Sequence, residues 1–215
     1  GKTAFSLNIA ESAARRNSVL FVSLEMSEEQ LLKRLISIGT GIHHDKLRYP
    51  KQLSNDDFEA ISMYYAQAHD RRLYIANTYT NTLSRIRAEA RNIARRDWLD
   101  LVVVDYLQLI QAGSRYAGNR VQEVAQISAE LKGLARDLNI PVLALSQLSR
   151  AGDKQMGDRP RLSELRDSGS LEQDADVVIL LSRQNGGVLV DVAKNRHAAP
   201  GEFVARWDGA VQRFA

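Results

Sequence analysis

The sequence predicts an α/β domain: a mostly parallel, twisted sheet flanked by helices, with an antiparallel extension at its C-terminal end. Three observations carry this. Short apolar runs rich in β-formers recur at 19–25, 72–77, 99–109, 141–147, 175–183 and 187–196. Those at 99–109, 141–147 and 175–183 are almost continuously apolar, which suits strands covered on both faces. Helical stretches separate the earlier runs, and strands alternating with helices build βαβ units with right-handed crossovers.

Each element has a local reason. Residues 3–16 place apolar side chains at helical spacing directly after "GKT". Residues 27–41 open with Ser27 and Gln30, the two halves of a capping box, and close on glycines. Residues 54–70 are polar-capped and amphipathic, and 82–96 and 119–139 complete the helices. From about residue 175 strands follow one another directly, which predicts a hairpin extending the sheet. The polar stretches 111–119 and 149–170 interrupt the pattern. A loop as long as the second is ordinarily functional or mobile. No linker or repeat divides the chain, so residues 1–215 read as a single domain.

Composition narrows the function classes. Hydrophobic residues make up 44% and charged residues 26% of 215, as in ordinary globular proteins. The chain has no cysteine, which excludes disulfides and thiolate metal sites, and its four scattered histidines form no zinc pattern. The longest apolar runs fall far short of the roughly 20 residues of a membrane span, and these features point to the cytosol. A net charge of +3 permits a nucleic-acid partner without requiring one. The arginine-rich stretch 84–96 reads first as a solvated helix face and second as a phosphate- or subunit-facing surface.

The strand ends carry the chemistry. In an open parallel sheet, ligands bind at the carboxyl edge of the strands. The run at 19–25 ends in Glu25, Asp105 follows three valines, and the run at 141–147 ends in Gln147. Singly, each is an ordinary strand cap; together with "GKT" opening a helix, they form a pattern. The first N–H groups and the dipole of a helix attract phosphate. Gly1 lets the backbone approach, the Lys2 ammonium suits β- and γ-phosphate oxygens, and the Thr3 hydroxyl suits Mg²⁺. Asp105 fits a second Mg²⁺ contact, Glu25 a group that polarises an attacking water, and Gln147 a hydrogen bond to the γ-phosphate. "GKT" reads as the second half of a phosphate loop. The first half and its preceding strand are expected upstream of Gly1, in a larger protein.

The stretches 21–31, 102–109, 140–150, 159–183 and 194–201 resemble, in order, the motifs of replicative helicases of the DnaB family in their RecA-like ATPase domain. "LRDSGSLEQDAD" is the most specific of them, since general RecA-type ATPases lack it. The resemblance implies a RecA-like P-loop fold and an ATP- and Mg²⁺-dependent motor. It implies a homo-hexameric ring on single-stranded DNA, translocating 5′→3′, with a primase and a helicase loader as partners. It makes Lys2 and Thr3 the phosphate-loop pair, Glu25 the catalytic glutamate, Asp105 the Walker B aspartate and Gln147 the γ-phosphate reporter. Arg34 matches an arginine near the adenine. Lys194 and Arg196 resemble the lysine and arginine finger that reach the next subunit's ATP, and their spacing puts both on one face of a strand. Arg166, Asp167, Ser168 and Gly169 resemble the DNA-binding loop, where an arginine and a glycine N–H can meet backbone phosphates.

Two departures stand out. Asp167 replaces the glutamate common in the family. His197, Ala198 and Ala199 replace the usual Asn-Gly-Pro after the finger, which removes a glycine from the turn that aims Arg196. A RecA/RadA-like recombination ATPase and a non-catalytic ring or loader-docking module are the alternatives. The first lacks "LRDSGSLEQDAD", and the second has no need of the Glu25, Asp105 and Gln147 set.

Overall fold

The computed structural model describes residues 1–76, 81–111, 119–148, 159–184 and 186–215, with residues 166–168 described in backbone only. Its centre is a parallel sheet in the order β2–β1–β3–β4, with β1 Val19–Ser23, β2 Leu73–Ala76, β3 Leu101–Asp105 and β4 Val142–Ala144. The period of two along a strand sends alternate residues to opposite faces. Leu20, Val22, Val102 and Val104 meet α5 (Leu83–Asp97) and α6 (Arg120–Leu138) through Ile86, Ile93, Ile127 and Leu134. Val19, Phe21 and Val103 meet α1 (Lys2–Ala13) and α2 (Glu28–Thr40) through Leu7, Ala10, Leu31 and Leu35. Of the three almost continuously apolar runs, that of β3 is covered by helices on both faces and that of β4 partly so, whereas the run at 175–183 leaves Val177 and Ile179 exposed and does not fit the expectation.

The helix signals act as read. Ser27 accepts from the Gln30 N–H at 3.3 Å, and the Gln30 side chain accepts from the Ser27 N–H at 3.1 Å. Gly41 closes α2 at φ 79°, in the left-handed region that favours glycine. Gly39 is required for space, since a Cβ there would lie 2.0 Å from the Tyr64 ring. Tyr64 stands on α4 (Asn55–Ala68), whose Ser54–Asp57 capping box sets its start. The short α3 (His44–Arg48) was not foreseen, because one turn carries no periodicity.

The arginine-rich stretch has a use within the chain. Arg87 and Arg91 of α5 both reach Asp137 of α6, at 3.2 and 3.0 Å, so the surface clamps two helices together. Glu11, buried on α1, is satisfied by Arg71 and by Arg15 at 3.3 Å. A buried charge is tolerated only when paired in this way.

The C-terminal region corrects the expectation of a hairpin extending the sheet. β5 (Val177–Gln184) and β6 (Gly187–Asn195) do form a hairpin. It adds β7 (Gly201–Ala205) and makes a separate antiparallel sheet. A cleft of about 540 Å³ lies between residues 140–146 and residues 174–181, with Phe5 and Ser6 of α1 and Leu131 of α6 among its lining. β4 uses its other edge on β3, and β5 uses its other edge on β6. Two strand edges thus border the same apolar cleft without a sheet partner among the described residues. After α7 (Gly169–Asp174) and the antiparallel sheet, the chain ends in β8 (Trp207–Asp208) and β9 (Arg213–Phe214). Phe214 meets the Phe5 ring edge-on at 5.2 Å, and the Arg213 Nε–H donates to the Ile38 carbonyl at 3.0 Å. The C-terminal hairpin thereby ties down both α1 and α2.

Candidate nucleotide site

Lys2 and Thr3 open α1, with Gly1 as its N-cap. The chain turns into this helix beside the carboxyl ends of β3 and β4. There the Lys2 ammonium donates to the Ser146 carbonyl at 2.9 Å and lies 5.1 Å from the centre of the Tyr106 ring. Burial is the largest effect on Lys2 and lowers its pKa, while the carboxylates of Asp105 and Glu25 pull it back up.

Asp105 ends β3 with its side chain fully buried. Burial pushes its carboxyl above the usual range. Thr3, Lys2 and Arg34 act in the opposite direction, and Glu25 adds to the rise. The Thr3 hydroxyl is close enough to favour the ionised form, yet neither carboxylate oxygen has a well-formed hydrogen bond. Two orphaned oxygens on a buried carboxylate are costly unless something cationic arrives. The donor set of a hydroxyl and a carboxylate is the hard oxygen chemistry that Mg²⁺ takes, so the residues present fit that ion.

Glu25 lies just beyond β1, exposed at the same rim. Arg34 comes in from α2. Burial lowers its pKa, Asp105 and Glu25 raise it, and its buried Nε has no partner. Lys2, Thr3, Glu25, Arg34 and Asp105, from four separate elements or their ends, therefore share one electrostatic neighbourhood.

Gln147 sits one residue beyond the carbonyl that holds Lys2 and is exposed. Its position is set by a residue that sequence reasoning missed. The Gln108 amide donates to the Ser146 Oγ at 2.8 Å and to the Gln147 carbonyl at 3.2 Å, and the Gln147 N–H donates to Gln108 Oε1 at 3.1 Å. The only cue was a polar residue in the "DYLQL" run, where the backbone turns from β3 into the 3₁₀ turn Leu107–Leu109.

Lys194 and Arg196 lie far along the chain from these residues, at the end of β6. Both turn to α7: Lys194 donates to the Glu172 carbonyl, and Arg196 to the Gln173 carbonyl and to Asp176 Oδ1, the last at 3.1 Å. Among the described residues neither donates to Lys2, Thr3, Glu25 or Asp105. Of the DNA-loop candidates, Gly169 begins α7, and 166–168 close the 3₁₀ turn Leu162–Ser168. The side chains of Arg166, Asp167 and Ser168 lie outside the described residues, as do residues 149–158.

The unpartnered Asp105 gives a direct expectation. Its raised folded-state pKa means that its contribution to stability is fully present only below the ordinary carboxylate range. That contribution is lost as pH rises through the raised value, so at neutral pH the buried carboxyl is a net cost to the fold. Asp105→Asn should therefore melt higher than the parent at pH 7 without nucleotide or Mg²⁺. The relief is about 1 kcal/mol, or roughly 2–4 °C at this size. Scanning calorimetry checks this, and a variant melting at or below the parent would contradict it.

A sheet whose carboxyl edge gathers a helix-start lysine, a threonine and two carboxylates defines an ATPase-type α/β domain, and solved structures share the fold. One, described as an ATPase domain, superposes with a TM-score of 0.92 at 31% identity, covering 99% of this chain and 79% of its own. "The Structure Of A DnaB-Like Replicative Helicase And Its Interactions With Primase" matches with the same score and identity, over 99% of this chain and 54% of its own.

The chain belongs to the DnaB-like helicase C-terminal domain family, whose model matches residues 1–215. Similar proteins include the replicative DNA helicase DnaB of Geobacillus stearothermophilus, 43% identical over 187 residues, 86% of this chain and 41% of that protein. The probable plasmid replicative DNA helicase of Chlamydia muridarum is 39% identical over 219 residues, 100% of this chain and 48% of that protein. The chain thus spans less than half the length of these relatives.

Proposed function

We propose that the chain is the ATP-driven motor of a replicative DNA helicase, acting as a homo-hexameric ring on single-stranded DNA in the cytoplasm and moving 5′→3′. The observation that carries this is the buried, unpartnered Asp105 carboxylate set among Lys2, Thr3, Arg34 and Glu25. Lys2 would bind the β- and γ-phosphates of ATP. Thr3 and Asp105 would hold Mg²⁺, which when bound neutralises charge on the phosphate oxygens. Glu25 would orient and polarise the attacking water, and Gln147, braced by Gln108, would sense the γ-phosphate. Arg34 would lie by the nucleotide. Lys194 and Arg196 would serve the site of the adjoining subunit. Fixed charge at the transferring phosphate is the main means by which such a site lowers the barrier.

The apolar cleft between β4 and β5 supports one further part of this reading. A strand leading into the phosphate loop would pair with both open edges. It would run parallel to β4 and deliver the chain to α1 beside Lys2. Partners of the ring would be a primase and a helicase loader.

DNA contact would fall on Arg166 to Gly169, at the entrance to α7. Readout of backbone phosphates carries no sequence information but depends on salt. Arg166→Ala in the full-length protein should weaken single-stranded DNA binding equally across sequences. It should also reduce the slope of log affinity against log salt by about 0.7. Fluorescence anisotropy at several salt concentrations measures both, and an unchanged affinity and slope would remove the loop assignment. Duplex unwinding that requires ATP hydrolysis tests the reading as a whole; its absence from the assembled full-length protein would sink it.

A further inference from the structure

Asp176 lies between α7 and β5 and belongs to no role assigned above. Its backbone carbonyl accepts from the Arg196 N–H at 2.9 Å. Its Oδ1 accepts from Arg196 Nη1 at 3.1 Å, and its Oδ2 accepts from Lys132 of α6. The carboxylate is thus held from one side by the helix layer and holds Arg196 from the other. The carbonyls of Gln173 and Glu172, at the end of α7, take Arg196 Nη2 and the Lys194 ammonium. A register shift in the β5–β6 pairing, between Val178 and Ile179, leaves Ala193 as an extra residue just before Lys194. Such bulges re-aim the side chains that follow them.

The Arg196–Asp176 pair is 45% and 44% exposed at its side chains. An ion pair that open to water is largely screened and stabilises little, so the fold gains little from it. Its geometric consequence is larger. A guanidinium carries five N–H donors and an ammonium three, and the seat occupies only some of them. The rest remain available on two cations whose long side chains would otherwise be free to rotate. Fixing such groups before a phosphate arrives removes the entropic cost of ordering them at that moment.

We propose that Asp176 is a positioning residue: with the last carbonyls of α7 it seats Arg196 and Lys194 as a pre-aimed pair of cations. The proposal rests on the reading of those two residues as acting on the adjoining subunit's nucleotide. It goes beyond that reading in assigning what aims them.

The test uses the assembled full-length protein and steady-state ATP hydrolysis with saturating single-stranded DNA. Asp176→Asn lowers kcat about tenfold and leaves KM for ATP within about twofold, and Asp176→Glu recovers most of the rate. The double variant Arg196→Ala/Asp176→Asn is no slower than Arg196→Ala alone, because Asp176 acts through Arg196. Parental turnover in Asp176→Asn, beside an inactive Arg196→Ala, overturns the seat and leaves the finger reading standing. A loss that adds in full to that of Arg196→Ala overturns it too. Parental turnover in Arg196→Ala removes the reading beneath and the seat with it. Should Asp176→Asn fail to assemble, Lys132→Met removes only the anchor of Oδ2 and should lower kcat severalfold; parental turnover there overturns the proposal.

Discussion

Arg196→Ala in the assembled full-length protein is expected to reduce ATP turnover by about 10³–10⁵-fold, the range a transferred arginine supplies in phosphoryl transfer. The loss should fall on kcat, because the charge is needed where the transition state gathers it on the phosphate oxygens. The fold should survive. The backbone N–H of residue 196 still donates to the Asp176 carbonyl, and β6 keeps its ladders to β5 and β7. Initial-rate kinetics with a sedimentation check on ring assembly separates the two effects. Near-parental hydrolysis by an assembled variant would end the assignment. The His197-Ala198-Ala199 turn makes this a sharp case. The His197 N–H donates to the Asn195 side chain at 3.0 Å, a local turn made without the glycine the family usually places there.

Glu25→Gln comes second, with an expected fall in kcat of about 10²–10⁴-fold, the usual worth of a positioned general base. The amide keeps the length and shape of the side chain but cannot take a proton from water. ATP affinity should hold or rise, since a negative charge near the phosphates is removed. Single-turnover hydrolysis beside equilibrium nucleotide binding reads the two separately. A variant that hydrolyses ATP at the parental rate would show that another group activates the water. Glu25 is exposed and stands past the end of β1, so the substitution leaves the core layers untouched.

Much of this architecture was legible before any coordinates. The capping box at Ser27, the polar cap at the start of 54–70, the glycine at 41 and the apolar runs all depend on neighbours within a few residues, so their signals are local. The carboxyl-edge cluster was legible for a related reason. In a parallel sheet every strand ends on the same rim, so Glu25, Asp105 and Gln147 were bound to face one side once their strands were recognised. Gln108 escaped notice because its importance lies in bridging to residues 146 and 147, a relation that no local pattern encodes. The arginines of α5 do line a largely solvated face, as read, but the contacts of Arg87 and Arg91 with Asp137 went unforeseen for the same reason, since Asp137 sits on another helix.

By itself the sequence determined the order and type of the longer elements and the rim on which the polar strand ends gather, because periodicity, capping and strand direction are properties of short stretches of chain. Only the tertiary structure decided that the C-terminal strands form their own sheet across a cleft from β4, and that Asp176 holds Arg196. Hydrogen bonding between edges and between side chains distant in sequence depends on which surfaces meet, and that is fixed only when the whole chain packs.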